Sequence, residues 1–359
     1  MGTAAKAHIH ALHAANIDLS VINLAFSQES DDPLIASLLD KRVNPDFHLV
    51  DYMPIAAVPL TLYFDRLILA SVWETESLPR PWLSIMRNVC DLWVPCEHNV
   101  SVFQEQVGRT VFKLPHALAA KVYEPVRPDF SKLPLIGDSE FVFYSIFVWQ
   151  PRKYPEGLIE AYFRAFPNGG NVVLILKLTD FGGGVIRVPD EESPHNVLCE
   201  IRRRVKSSAR VEIVNDVWSE QQMEALEQRG NCYVSLHRGE GWGYPIFDAA
   251  CRGTPVIATG YSGPLEYLDS AHHSLVKFKL VSVAQADPMN SYSAEMKWAE
   301  PNLEHAAALM EHVFDHHGDA VGRARSASLS LRKRFAPDTV GMLARERLES
   351  LLSDSGRLS

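Results

Sequence analysis

Two spacings of apolar residues take turns along this chain. One returns every three or four places, the period of a helix with one buried face. The other is a short continuous or alternating run, the pattern of a strand. TAAKAHIHALHAANI (3–17) has the helical spacing, and DLSVINL (18–24) reads as a strand after it. DRLILASVW (65–73) reads as a buried strand, PWLSIMRNVC (81–90) as a helix, DLWVPC (91–96) as a strand, EHNVSVFQEQV (97–107) as a helix and RTVFKLPHA (109–117) as a strand. Residues 122–140, with three prolines and a glycine, read as a linker.

The alternation then restarts. FVFYSIFVW (141–149), NVVLILKL (171–178), RVEIVND (210–216), NCYVSLH (231–237) and TPVIATG (254–260) are predicted strands. PEGLIEAYFRAF (155–166), SEQQMEALEQR (219–229), YPIFDAACRG (244–253) and GPLEYLD (263–269) open or form helices, with further helices at about 302–317, 320–335 and 337–352. Alternation of this kind predicts parallel sheets with helices on both faces. The expected architecture is α/β: two doubly wound, Rossmann-like domains facing a cleft. The first spans 1–125 and the second 138–336, with the C-terminal helix, about 337–359, packing back on the first. Because the chain opens on a helix, either its true start lies upstream of Met1 or the first domain lacks its first strand.

Composition narrows the function classes. A net charge of −9 on 359 residues leaves no polybasic footprint for nucleic acid. The basic runs RRRVK (202–206) and RARSASLSLRKR (323–334) read as solvated helix faces. Five scattered cysteines with no C-x-x-C spacing argue against a disulfide framework or zinc site and fit a reducing cytosol. The longest apolar run, IAAVPLTLYF (55–64), stops at Asp65–Arg66, too short to cross a membrane. His8, His10 and His13 lie two or three apart on one helix, and no zinc motif surrounds His305, His312, His316 and His317, so no metal site is expected.

The chemistry concentrates in HRGEGWGYPIFDAACRGTPVIATGYSG (237–263). Glu240 sits among three glycines and Asp248 follows eight residues later, at a predicted strand-to-helix junction. Ligands of doubly wound sheets bind at such junctions, where unpaired helix N–H groups favour anions. With the following GPLEYL, this block resembles the donor-site signature of family-4 retaining glycosyltransferases of the GT-B fold. PRKYPEGLIEAY (151–162), DLWVPCEHNVSVF, KLPHA and WAEPNLEHAAALM (298–310) resemble further segments of that family, the last from a bacterial branch. The resemblance covers about residues 65–350.

It implies hexosyl transfer from a nucleotide-diphosphate sugar to a glycan or lipid-linked acceptor, in surface polysaccharide biosynthesis, without cofactor or metal. Glu240 would contact the transferred sugar. Lys153, with Arg152, would neutralise the departing diphosphate. Arg238, Gly241, Trp242, Gly243, Tyr244, Pro245, Ile246, Asp248, Ser262, Gly263 and Glu266 would line the donor site, Asp248 gripping the ribose. His116, Trp73 and Glu74 are the acceptor-side candidates. Two positions depart from the family pattern. Asp248 replaces a glutamate, and Val148 replaces an arginine, leaving Arg152, Arg238 or Lys177 as substitutes. The expected setting is cytoplasmic, with peripheral membrane contact. The alternative reading is an inactive sugar-nucleotide-binding or assembly protein on the same fold.

Overall fold

The computed structural model describes residues 2–22, 30, 32–39, 41–51, 53–123, 125–178, 193–284 and 292–355. The chain divides into two compact units. Each is a parallel sheet with helices, as the alternating pattern predicts.

The first unit comprises Met1–Trp73, Ser77–Ala120 and Ser330–Ser359. Its parallel sheet has the order β1–β2–β3–β4, with β1 at His48–Asp51, β2 at Leu67–Ala70, β3 at Asp91–Val94 and β4 at Phe112–Lys113. Every position of β2 and β3 is buried, as in parallel strands covered on both faces. Helices α1 (Thr3–Ala14), α2 (Pro33–Leu39), α3 (Arg80–Arg87) and α4 (Glu97–Val107) belong to this unit. So does the last helix of the chain, whose Val340 and Ala344 share a core with Ala7, Ala11 and Leu12 of α1.

The strand expected at 18–24 does not form over Asp18–Ile22, and 23–24 lie outside the described residues. Val21 gives its N–H to the Leu38 carbonyl at 3.0 Å and buries its side chain with Ile35 and Leu38 of α2. That packing takes the segment away from the sheet, whose first strand is His48–Asp51 instead.

The second unit comprises Glu74–Glu76 and Lys121–Leu329. A helical turn, α5 (Ala120–Tyr123), leads into it. Its parallel sheet contains β5 (Phe141–Phe147), β6 (Val172–Leu178), β7 (Arg210–Val214), β8 (Cys232–Ser235), β9 (Val256–Thr259) and β10 (Ser274–Val276). Their spatial order is β10–β9–β8–β5–β6–β7. The chain starts in the middle at β5, moves outward through β6 and β7, then returns to the other side of β5 with β8. That reversal between β5 and β8 is the topological switch point, where open α/β sheets bind ligands at their carboxyl ends.

The helices are α6 (Pro155–Ala165), α7 (Pro194–Val205), α8 (Glu220–Arg229), α9 (Tyr244–Arg252), α10 (Leu303–Asp315) and α11 (His317–Arg334), whose residues from Ser330 onward belong to the first unit, as does α12 (Pro337–Ser355). All seven residues of β6, VVLILKL, are buried. Ser219 and Gln222 form a reciprocal capping box at the start of α8. The region read as a linker is tied down, since Arg210 donates to the Leu135 carbonyl and Arg229 to the Gly137 carbonyl. Two differences matter for the site. Residues 263–266 make a single 3₁₀ turn in place of the expected helix. An antiparallel hairpin, β11 (Phe278–Ser282) with β12 (Lys297–Pro301), precedes α10 where no strand was expected.

Candidate functional site

Two loops meet at the switch point of the second unit. The first leaves β5 and makes the turn Pro151–Lys153. Tyr154 then adopts a left-handed backbone (φ 51°), and Pro155 begins α6. The second leaves β8 and runs through His237–Gly243 into α9, with Gly243 as N-cap at φ 83°. The loops are joined by the backbone, since Arg238 N–H donates to the Arg152 carbonyl at 2.8 Å.

At the junction Glu240 is 6% exposed and carries both cations. One carboxylate oxygen is paired with Lys153 and the other accepts from Arg152 Nη1 at 3.0 Å. Arg152 Nη1 also donates to the Gly239 carbonyl at 2.6 Å. Burial alone would favour the neutral acid, but Lys153 and Arg152 outweigh it and hold the Glu240 carboxyl down to about 2. Burial lowers the Lys153 ammonium against the pull of Glu240, with the charge of Arg152 adding to the lowering. Arg152 stays charged, because Glu74 and Glu240 together overcome its burial.

The backbone of Glu240 is held as firmly as its side chain. Its N–H donates to Ser262 Oγ at 2.9 Å, and its carbonyl accepts from Gly263 N–H at 2.9 Å. A Cβ at Gly263 would collide with the Gly241 and Glu240 carbonyls, so this close approach needs glycine. Ser262 stands at φ 63°, ψ −144°, a conformation that costs a non-glycine residue about 1–3 kcal/mol. The surrounding turn imposes it and so aims the hydroxyl at Glu240.

His237 is fully buried beside this loop. Its Nε2 donates to the Tyr261 carbonyl at 3.3 Å, which leaves Nδ1 to accept from Ser235 Oγ at 3.1 Å. Burial pushes its pKa down to about 4 despite Glu240, so the ring is neutral near pH 7. Trp242 packs its indole on Phe247 and Tyr267, with ring centroids 5.1 Å away in each case. The Tyr267 hydroxyl donates to the Trp242 carbonyl at 2.6 Å and lies 3.1 Å from the Gly243 carbonyl. Trp242 therefore supports the loop from within and does not offer its ring to a ligand.

The other expected residues divide. Ser262, Gly263, Gly241 and Gly243 are brought together around Glu240. Tyr244 and Pro245 open α9, and Ile246 is buried in its first turn. Asp248, 4% exposed, is on α9 one turn before Arg252, whose charge it helps to hold along with Glu227 and Glu224. The burial-raised phenol of Tyr267 feels the charges of both Glu240 and Asp248. Glu266 is buried in the 263–266 turn.

Arg238 is turned to another use than holding a ligand. Its guanidinium lies 3.9 Å from the Tyr154 ring centroid and 5.3 Å from that of Trp298, with Nε donating to Glu300 at 2.9 Å. It thereby ties the cation-bearing turn to β12. Lys177 is spent on the Leu178 and Asp216 carbonyls at 2.5 and 2.9 Å. Of the three substitutes for the arginine missing at Val148, only Arg152 reaches Glu240.

Each acceptor-side candidate has partners of its own. Trp73, in the first unit, is 4% exposed, packs edge-on against Trp82 at 4.7 Å and donates Nε1 to the Ser77 carbonyl. It is a core residue with no face for a sugar. His116, also in the first unit, is buried, and its Nδ1 lies 3.1 Å from Nε2 of His8, whose Nδ1 donates to Asp51 at 2.8 Å. Glu74 groups with the second unit, 3.5 Å from Arg152 Nη2. Sequence reasoning missed His237, Tyr267, Tyr292, Trp298 and Glu300. Only His237 carried a signal, as a lone histidine between a strand and the glycine-flanked acid.

Among the described residues no cluster of three or more His, Cys, Asp or Glu is placed to hold a metal. None of the described helices is long and apolar enough to cross a membrane.

No protein-family model and no curated protein matches the chain. Solved structures do resemble it. HepE of Anabaena, in complex with UDP and glucose, superposes with a TM-score of 0.63 at 14% identity, over 84% of this chain and 78% of that one. The α,α-trehalose 6-phosphate synthase of Burkholderia multivorans gives a TM-score of 0.65 at 12% identity, over 91% and 75%. Sucrose-phosphate synthase of Thermosynechococcus elongatus gives 0.62 at 14% identity, over 85% and 73%. At such identities the likeness speaks for architecture: the chain has the fold of the GT-B glycosyltransferases, with two Rossmann-like units.

Proposed function

We propose that the chain is a retaining glycosyltransferase that moves a hexosyl group from a nucleotide-diphosphate sugar to a hydroxyl of a glycan or lipid-linked acceptor. The observation that carries this reading is the Arg152–Glu240–Lys153 cluster at the β5/β8 switch point. Two half-buried cations on one loop offer the charge that a departing diphosphate needs. The bond between the anomeric carbon and the phosphate oxygen breaks, and its electron pair leaves with the nucleoside diphosphate. The acceptor oxygen bonds to the same face of that carbon and passes its proton to the departing phosphate. Glu240 contacts sugar hydroxyls and balances positive charge at the anomeric carbon. Asp248 serves the ribose, and Arg152 and Lys153 together make a divalent metal unnecessary. The setting is the cytoplasm, with peripheral contact to the inner face of the membrane, and the product is a surface polysaccharide.

The test is release of nucleoside diphosphate from a panel of nucleotide sugars, with oligosaccharide or lipid-linked acceptors. Glu240→Gln should abolish transfer while the protein keeps its secondary structure; unchanged turnover would sink the assignment. A second reading, a sugar-nucleotide-binding protein without transfer, draws support from the pairing of Glu240 to both cations. It predicts donor binding with no acceptor-dependent turnover.

A further inference from the structure

Arg152 holds two carboxylates, and they are held unequally. Glu240 is fixed by Lys153, by Arg152 and by both of its backbone polar groups. Glu74 reaches the far side of the guanidinium at the longer distance of 3.5 Å, and its other oxygen accepts from the Tyr292 hydroxyl at 3.0 Å. The segment is seated by design of the sequence. A Cβ at Gly239 would stand 2.5 Å from the Glu74 carbonyl oxygen and 3.1 Å from its Cβ, so Gly239 is the space into which Glu74 fits. The glycine flanking Glu240 therefore admits the backbone of the segment that carries Glu74. The side chains of Arg152 and Glu74 are 13% and 15% exposed, which leaves their attraction only partly screened.

Two cations, Arg152 and Lys153, face two carboxylates, Glu240 and Glu74, and their charges cancel. A diphosphate placed on the cations without any displacement would put its charge beside both carboxylates. One of them has to yield, and the fewer and longer contacts of Glu74 select it. We propose that Glu74 is a resident counter-ion on Arg152 that the diphosphate of a ligand displaces, so that Glu74 sets the affinity of the site. This rests on the reading of Arg152 and Lys153 as diphosphate-holding cations.

Titration calorimetry with inorganic pyrophosphate and with UDP tests it on the full chain. Glu74→Gln keeps the shape and removes the charge. It should bind pyrophosphate and UDP roughly two- to fivefold more tightly than the wild type, the scale of one partly screened ion pair. Tyr292→Phe loosens the hold on Glu74 and should move both affinities the same way by less. A merely structural role predicts weaker binding in both variants. Equal or weaker binding of both probes by Glu74→Gln overturns the proposal, and if that variant fails to fold, Tyr292→Phe decides by the same criterion. Tightening on pyrophosphate with no binding of UDP would uphold the counter-ion and overturn the nucleotide reading. UDP bound equally by wild type and Glu74→Gln would overturn the counter-ion and leave that reading standing.

Discussion

Glu240 shows how one residue couples stability to binding. It pairs with two half-buried cations, so its removal leaves Lys153 without its carboxylate and Arg152 with Glu74 alone. Breaking one side of a fully buried pair costs about 3–5 kcal/mol, and less where the cations keep some contact with water, as these do. Glu240→Gln should therefore lower the melting temperature of the free protein, and pyrophosphate should restore more of it than in the wild type. Scanning calorimetry with and without the anion checks this, and equal shifts in the two proteins would contradict it. Lys153→Met should lose most of the stabilisation that UDP gives the wild type. Titration adds a second handle. Burial holds His237 at about 4, below the ordinary 6.5, so the unfolded chain binds more protons between those values. The stability this confers is full above pH 6.5 and is lost as the pH falls toward 4. It amounts to about 3 kcal/mol at its limit. His116, held at about 3 by burial and by His8, extends the loss downward. Glu240 acts lower still, conferring stability above pH 4.5 that is lost as the pH falls toward 2. Urea unfolding at pH 7.5, 5.5 and 4.5 should show the decline, and His237→Gln should flatten its upper part. Glu240 stood out in the sequence by its flanking glycines and its strand-to-helix junction, whereas Lys153 was singled out only through the family resemblance. The partners of Arg152 and Arg238 were not, since Glu74 and Glu300 lie 78 and 62 positions away along the chain.

Elements were legible where their own chemistry fixes them. In β6 the run VVLILKL admits one reading, because seven apolar or stem-buried positions in a row suit a strand covered on both faces. The helix α8 announces its start with Ser219 and Gln222. Ser219→Ala should cost about 1 kcal/mol through loss of that cap, and an unchanged urea midpoint would show that packing alone sets the boundary. The hairpin β11–β12 was missed because Phe278 and Leu280 are exposed and the strand β11 has no buried face to give a period of two. It nevertheless matters to the site, since Trp298 and Glu300 on β12 fix Arg238. The 18–22 segment erred the other way. Its apolar alternation is real, but α2 uses it in place of the sheet.

At the scale of the whole molecule, chain order decides where chemistry can gather. A strand sequence that begins in the middle of a sheet leaves a gap between two loops that run in opposite directions, and here that gap lies between β5 and β8. One loop brings Arg152 and Lys153, and the other brings Glu240. The net charge of −9 gives a diphosphate no long-range attraction to the molecule as a whole, so binding relies on local cations. A ligand that binds only the folded state stabilises it by about 2.7 kcal/mol at a hundred times its dissociation constant. The gain should be local before it is global, because amides exchange through openings smaller than complete unfolding. Hydrogen exchange with and without a bound nucleotide sugar should therefore slow first at residues 150–154, 237–248 and 260–266, the segments that carry or brace the cluster. Protection centred on the ends of β6 and β7, around Lys177 and Trp218, would place the diphosphate on the wrong side of β5 for Glu240 to reach the sugar. The reading of Arg152 and Lys153 would then have to be abandoned.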